Sequence, residues 1–423
     1  MIEKIYEAYL SHPKICTDTR NIQADSLFFC LKGENFDGNT FALQALEAGA
    51  AYVVTNRQDL KDNDRCFVVD DTLATLQKLA HHHRRQFTIP FIGITGTNGK
   101  TTTKELTAQV LQAKYRVAFT QGNLNNHIGV PLTLLSMPAD TEIAIIEMGA
   151  NHPGEIADLC RIAEPTHGLI TNIGVAHIEG FGSPENIVKT KRAMYESVME
   201  REGTLFVNAA DPVLTGCAGS YQPQVRYGNT ADSTCHGTIT DMNPCLTVQV
   251  EDTAIHTQLT GEYNLHNILG AIAVGRFFGI STEEAGRTLE AYMPCNHRSQ
   301  IIQAGSSTLI ADYYNANPTS MTAALLNLAH LPHPNKYAIL GDMLELGSVS
   351  EQEHRNIIQL CQQHHIHPIF VGQIFHQLAP EQAFENVEQA NQYLASHPIH
   401  HAMILIKGSR GIHLEKISLQ NFQ

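Results

Sequence analysis

The sequence predicts an α/β chain in three blocks, and three observations carry that reading. Short apolar runs alternate with amphipathic stretches from residue 88 onward, the pattern of a largely parallel sheet with helices on both faces. A glycine loop, Thr95-Gly96-Thr97-Asn98-Gly99-Lys100-Thr101-Thr102, stands between one such run and a helical stretch. The alternation then breaks off and restarts near residue 298 in a shorter series. The expected fold is a small N-terminal α/β block (1–84), a central doubly wound sheet like that of P-loop ATPases (85–297), and a smaller, Rossmann-like C-terminal block (298–423).

The N-terminal block contains apolar runs at Ser26–Leu31, Ala51–Thr55 and Cys66–Val69, with two helical stretches between and around them. In the central block the expected strands are Ile89–Thr95, Glu142–Met148, Gly168–Ile173 and Thr204–Asn208. Residues 225–258 are richer in Thr, Asp and alternating residues, and read as antiparallel strands appended to the sheet. The C-terminal block offers strands at Thr308–Ala311, Tyr337–Leu340, Pro368–Val371 and Ala402–Ile406. Helices at Ser320–Leu331, Glu351–His364 and Val387–Ser396 separate them.

A chain of 423 residues has room for two or three such units, each with its own core. A hydrophobic fraction of 43% and a charged fraction of 17% suit a soluble globular enzyme. The net charge of −14 argues against nucleic acid or an anionic membrane as a partner, while leaving room for a local basic pocket. The N-terminus lacks a basic region followed by an apolar block, and no apolar run reaches membrane-spanning length. The nine cysteines form no CxxC pair, so free thiols and a cytoplasmic location are expected. Adjacent histidines of a helix point to different sides, so His81-His82-His83 reads as a solvated segment near a linker, not a metal site.

The chemistry concentrates around the glycine loop. Gly96 and Gly99 permit tight turns that aim successive N–H groups at phosphate oxygens, and the following helix adds the positive end of its dipole. Lys100 would place a charge on the outer phosphates, and the Thr101 hydroxyl would bind Mg²⁺. One position departs from the usual motif: Ile94 stands where the first glycine is expected. The plainer alternative is a glycine turn between a strand and a helix. In open α/β sheets, ligands gather beyond the carboxyl ends of the strands. Glu147 closes the run Ile143-Ala144-Ile145-Ile146 and could hold Mg²⁺ there; His177 follows the Gly168–Ile173 run. Ser183-Pro184-Glu185 is a helix start, and Ile187, Lys191, Tyr195 and Val198 then share one face, with Lys189, Arg192 and Glu196 opposite. A lysine inside that apolar stripe either snorkels to water or has a buried partner.

These segments resemble one family. Residues 95–102, Gly122-Asn123-Leu124-Asn125-Asn126-His127-Ile128-Gly129-Val130-Pro131 and Glu147-Met148-Gly149-Ala150-Asn151 are similar to the Mur ligases of peptidoglycan synthesis. Their phosphate loop also lacks the first glycine. Within the family, residues 177–183, Asp312-Tyr313-Tyr314-Asn315-Ala316-Asn317-Pro318, residues 341–347 and Lys407-Gly408-Ser409-Arg410-Gly411 resemble the branch that adds D-alanyl-D-alanine to a UDP-MurNAc-tripeptide. The likeness extends to Thr17-Asp18-Thr19-Arg20 and Leu27-Phe28-Phe29, so the N-terminal block looks like the family's UDP-binding domain.

The resemblance implies an ATP-dependent amide ligase working through an acyl phosphate. It implies catalytic roles for Lys100, His177 and Lys191, and two Mg²⁺ ions held by Thr101, Glu147, His177 and Lys191, the last as a carbamate. ATP would be bound by Thr95 to Thr102, by Asn264 and Asn267 near the adenine, and by Arg298 and Asp312 from the C-terminal side. Thr19, Arg20, Asn125, Asn126, Asn315 and Asn317 would meet the other substrates, in a monomer. Tyr263 replaces the family's usual histidine, and a glycine is commoner before Arg298. Three rivals stand beside this reading: the ligase that adds the third amino acid, a folate polyglutamate synthetase, and a nucleotide-binding regulatory subunit. The diaminopimelate-type Asp-Asn-Pro-Arg motif does not occur in this sequence.

Overall fold

Residues 1–174, 178–295 and 297–422 are described by the structure, a computed structural model. Each expected block supplies one sheet. The N-terminal sheet is fully parallel, in the order Lys14–Cys16, Ser26–Phe29, Tyr52–Thr55, Cys66–Val68. The central sheet has nine strands. Phe91–Thr95 lies inside it, parallel to His167–Ile170 on one side and to Ile143–Glu147 on the other. Register places Ile94 beside Glu147 and Thr95 beside Ile170, so three neighbouring strands end at the same level. That alignment sets the glycine loop, Glu147 and the Thr171-Asn172 segment against one another.

The C-terminal sheet runs Gln300–Ala304, Ser307–Ala311, Met403–Lys407, Lys336–Gly341, His367–Val371, Ala383–Phe384. Its first pair is antiparallel and the others are parallel. The Gln300–Ala304 strand was not anticipated from the sequence. It is an edge strand with half-exposed faces, and its apolar pattern is correspondingly weak. In the appended segment, Cys235–Met242, Leu246–Val250 and Thr253–His256 are antiparallel as expected. Gln224–Gly228 instead pairs in parallel with Thr204–Asn208 and with Cys235–Met242.

The helical stretch after the glycine loop is Lys100–Leu111, and it begins directly at the loop because Gly99 takes the left-handed conformation (φ 78°) that turns the chain from loop to helix. The N-terminal block has three helices, Ile2–Ser11, Ala42–Glu47 and Thr72–Arg84. The last contradicts the solvated reading of the histidine run. Leu76 and Leu79 share one core with Val130 and Leu134 of the central block. Arg84 is 6% exposed, donates to the carbonyls of Ala163 and Glu164 at 2.7 and 2.8 Å, and stacks 3.6 Å from the centre of Phe91. His83 is also buried, 3.0 Å from the Tyr6 hydroxyl and 3.4 Å from that of Tyr9. A run of polar residues concealed this, since the buried face is only every third or fourth position.

Burial, and then the neighbouring His82, push the His83 imidazole down to about 4. An unfolded chain therefore binds the His83 proton more readily than the native one from about pH 6.5 downward. The stability this residue contributes is present above about pH 6.5 and is lost as pH falls toward 4. Unfolding in urea across that range should show a falling midpoint, and His83→Gln should flatten the slope; an unchanged slope would contradict the burial argument.

Candidate active site

The phosphate loop is held from three sides. Thr97 N–H donates to the Asn172 carbonyl at 2.9 Å, and Asn98 N–H to the Asn172 side chain at 3.0 Å. The Thr171 hydroxyl donates to the Asn98 carbonyl at 2.5 Å. From the C-terminal sheet, the Asn317 amide donates to Asn98 Oδ1 at 2.7 Å while its Oδ1 caps the Pro318–His330 helix. Two helices therefore begin at the loop, this one and Lys100–Leu111, and both bring the positive end of a dipole.

Two amines meet one oxygen beneath the loop. Lys100 Nζ donates to the Gly96 carbonyl at 2.9 Å and to that of Thr97 at 3.0 Å, and Lys191 Nζ donates to the same Gly96 carbonyl at 3.0 Å. Lys191 is 3% exposed on the buried stripe of the Pro184–Met199 helix, so it does not snorkel. Burial, then the charge of Lys100, lower its pKa well below the ordinary lysine value. Burial lowers that of Lys100 as well, with Glu147 opposing and Arg298 reinforcing the shift.

Glu147 is fully buried. Its Oε1 accepts from the Thr101 hydroxyl at 3.1 Å and from the Asn125 amide at 2.7 Å. Its Oε2 is buried and has no hydrogen-bond partner among the described residues. A carboxylate oxygen so placed is costly unless a ligand meets it. With the Thr101 hydroxyl it makes an oxygen-donor pair of the kind Mg²⁺ prefers.

A chain of polar side chains runs from the loop helix. The Thr103 hydroxyl donates to Asn267, whose amide donates to Asn264, whose amide donates to the Thr260 carbonyl, at 3.0, 2.8 and 2.8 Å. Across the cleft, Asp312 forms an ion pair with buried Lys407 at 2.6 Å and accepts from the Ser299 N–H at 3.1 Å. Lys407 also donates to the Asn315 carbonyl at 3.2 Å. Asn264, Asn267, Ser299, Asp312, Asn315 and Lys407 line one cleft of about 990 Å³, which the central and C-terminal blocks share with the Thr72–Arg84 helix.

Residues 14–84 match the description "Mur ligase family, catalytic domain", residues 94–275 the Mur ligase middle domain, and residues 297–410 the Mur ligase glutamate ligase domain. A relative from Bacillus subtilis, named UDP-N-acetylmuramoyl-tripeptide–D-alanyl-D-alanine ligase, is 36% identical over 97% of this chain and 93% of its own. This chain belongs to the Mur ligase family. Among solved structures, MurF from Acinetobacter baumannii superposes with a TM-score of 0.88 at 29% identity, covering 99% of this chain and 97% of that one. The MurF ligase of Thermotoga maritima in complex with ADP gives 0.86 at 26%, covering 97% and 98%.

In this Mur ligase the cleft gathers Lys100, Thr101, Asn125, Asn126, Glu147, Lys191, Asn264, Asn267, Arg298, Asp312, Asn315 and Asn317. Asn126 is engaged locally, its Oδ1 accepting from the N–H groups of Ile128 and Gly129. Thr19 and Arg20 do not line the cleft; Arg20 is exposed and forms a bidentate pair with Asp18. His177 lies outside the described residues. Thr171, Asn172 and Lys407 were missed, although each sits at or just past the carboxyl end of a parallel strand, the position the ligand rule singles out.

Gly96 shows how little freedom the loop has. A Cβ there would lie 1.9 Å from Thr171 Oγ1, on backbone at φ 147°. Gly96→Ala should weaken ADP binding at least roughly tenfold by displacing the shared carbonyl. Calorimetric titration checks this, and wild-type affinity in the variant would refute the loop geometry.

Proposed function

We propose that this Mur ligase joins D-alanyl-D-alanine to UDP-N-acetylmuramoyl-tripeptide at the expense of ATP. The products would be UDP-MurNAc-pentapeptide, ADP and phosphate, in peptidoglycan precursor synthesis. The observation that carries the reading is the set Lys100, Thr101, Glu147 and Lys191 assembled at one point of a cleft open to three substrates. The name of the B. subtilis relative supplies the substrates. A regulatory subunit would need only part of that set.

The reaction asks the protein for positioning and charge rather than covalent chemistry. The peptide carboxylate attacks the γ-phosphorus of ATP; an O–P bond forms, the bond to the β-phosphate oxygen breaks, and ADP leaves. The dipeptide amine then attacks the acyl carbon, a C–N bond forms, the C–O bond to phosphate breaks, and the amine loses a proton. Lys100, the loop N–H groups and the two helix starts would hold the phosphates, with Arg298 and Asp312 meeting the nucleotide from the opposite wall. Asn264 and Asn267 would lie by the adenine. Asn125, Asn126, Asn315 and Asn317 would border the acceptor and peptide.

The orphaned Glu147 oxygen and the Thr101 hydroxyl fit Mg²⁺, with His177 and a carbamate on Lys191 completing the proposed ligands for two ions. Bound Mg²⁺ would neutralise the phosphate charge. The Lys191 carbamate is supported by the buried amine among apolar side chains: CO₂ adds to an uncharged nitrogen, a proton leaves, and an oxygen-bearing anion results.

We read the domain limits as 1–84 for the UDP-substrate domain, 85–297 for the ATP domain and 298–423 for the C-terminal ligase domain. Thr19 and Arg20 would then act in the first of these, away from the cleft. The protein is proposed to act as a cytoplasmic monomer, without nucleic-acid or membrane partners. Its cysteines carry free thiols, and among the described residues no helix is long and apolar enough to cross a membrane.

Phosphate release from ATP and Mg²⁺ should require both UDP-MurNAc-tripeptide and D-Ala-D-Ala, with a pentapeptide product by mass. Release with UDP-MurNAc-dipeptide and a single amino acid would move the enzyme one step back, and no release at all would revive the regulatory reading. Lys191→Ala should abolish turnover and recover partly with added short carboxylates; wild-type turnover in that variant would sink the carbamate.

A further inference from the structure

The segment joining the central and C-terminal sheets turns through residues seated on rings. His297 and Ser299 adopt left-handed backbone, at φ 51° and 55°, which disfavours side-chain-bearing residues unless the surroundings compensate. The compensation is visible at each. The His297 ring stacks on Tyr313, with centroids 4.7 Å and planes 23° apart. Ser299 shares a 2.7 Å hydrogen bond with the Tyr263 hydroxyl and donates its N–H to Asp312. Between them, the Arg298 guanidinium lies 3.8 Å from the centre of the Tyr314 ring, which Arg410 approaches at 5.6 Å.

Arg298 Nε is buried and has no hydrogen-bond acceptor among the described residues, so the electron-rich ring face is what replaces its lost hydration. Arg298 and Tyr314 both line the cleft with Lys100, and the charge of Arg298 is felt at Lys100. The ring thus stacks on a cation that shares one cleft with the phosphate loop.

We propose that Tyr314 is a positioning residue that aims the Arg298 guanidinium at the nucleotide phosphates, while Tyr313 pins the same turn through His297. This rests on the ATP-binding reading above. The ring's quadrupole carries the effect, so the hydroxyl is dispensable: phenylalanine serves and an aliphatic side chain does not.

The test is calorimetric titration of the full-length chain with ADP and Mg²⁺, in a double-mutant cycle. Tyr314→Phe should bind within about twofold of wild type. Tyr314→Leu, or Tyr314→Met if the leucine variant does not fold, should lose roughly 3- to 30-fold. In an Arg298→Ala background the same aliphatic change should cost no further affinity, because the ring acts through the guanidinium. Wild-type affinity in the aliphatic variant, or an equal loss with and without Arg298, would overturn the proposal. A wild-type chain that binds no ADP would instead overturn the nucleotide reading on which it rests.

Discussion

The site is organised around the carbonyl of Gly96, which accepts hydrogen bonds from two lysines, one of them fully buried. Two amines so close, with little water, cannot both hold a proton cheaply; desolvation and mutual repulsion act in the same direction. The same small volume contains a Glu147 oxygen that no group among the described residues satisfies. The arrangement stores unfavourable electrostatics that the proposed nucleotide and its cations would relieve. It is the signature of a site whose partners arrive from outside, and it persists because the packing around it is over-determined.

That packing explains why so many elements converge here. Parallel strands of matched length bring the loop, Glu147 and Asn172 to one level. The buried stripe of the Pro184–Met199 helix fixes Lys191 from below. The N-terminal block adds rigidity by sharing a continuous core with the central one. The C-terminal sheet contributes the opposite wall, tied across the cleft by the Asn98–Asn317 and Tyr263–Ser299 pairs. Each of these cross-ties is made by hydrogen bonds between polar side chains.

Much of this was legible in the sequence, and the reasons are specific. The strands that frame the site are long apolar runs with turn residues at their ends, so Phe91–Thr95, Ile143–Glu147 and Thr204–Asn208 could be placed almost to the residue. Lys191 stood out because its helix has a clear start and a clear stripe. Gln300–Ala304 was invisible because an edge strand with half-exposed faces carries little hydrophobic pattern. The burial of His83 and Arg84 was hidden because it depends on the Tyr9 hydroxyl and the Ala163 carbonyl, which lie 74 and 79 residues away in the chain. The roles of Thr171 and Asn172 likewise come from backbone contacts with a loop that no local pattern reports.

Lys191 is the pivot of the proposed site: burial and the neighbouring Lys100 lower its pKa well below the ordinary lysine value, which favours the neutral amine that CO₂ requires. Carbon-13 NMR of the protein equilibrated with labelled bicarbonate reads this directly. A carbamate resonance that disappears in Lys191→Ala is the expected result. A spectrum with no such resonance, or one that survives the substitution unchanged, would contradict the account.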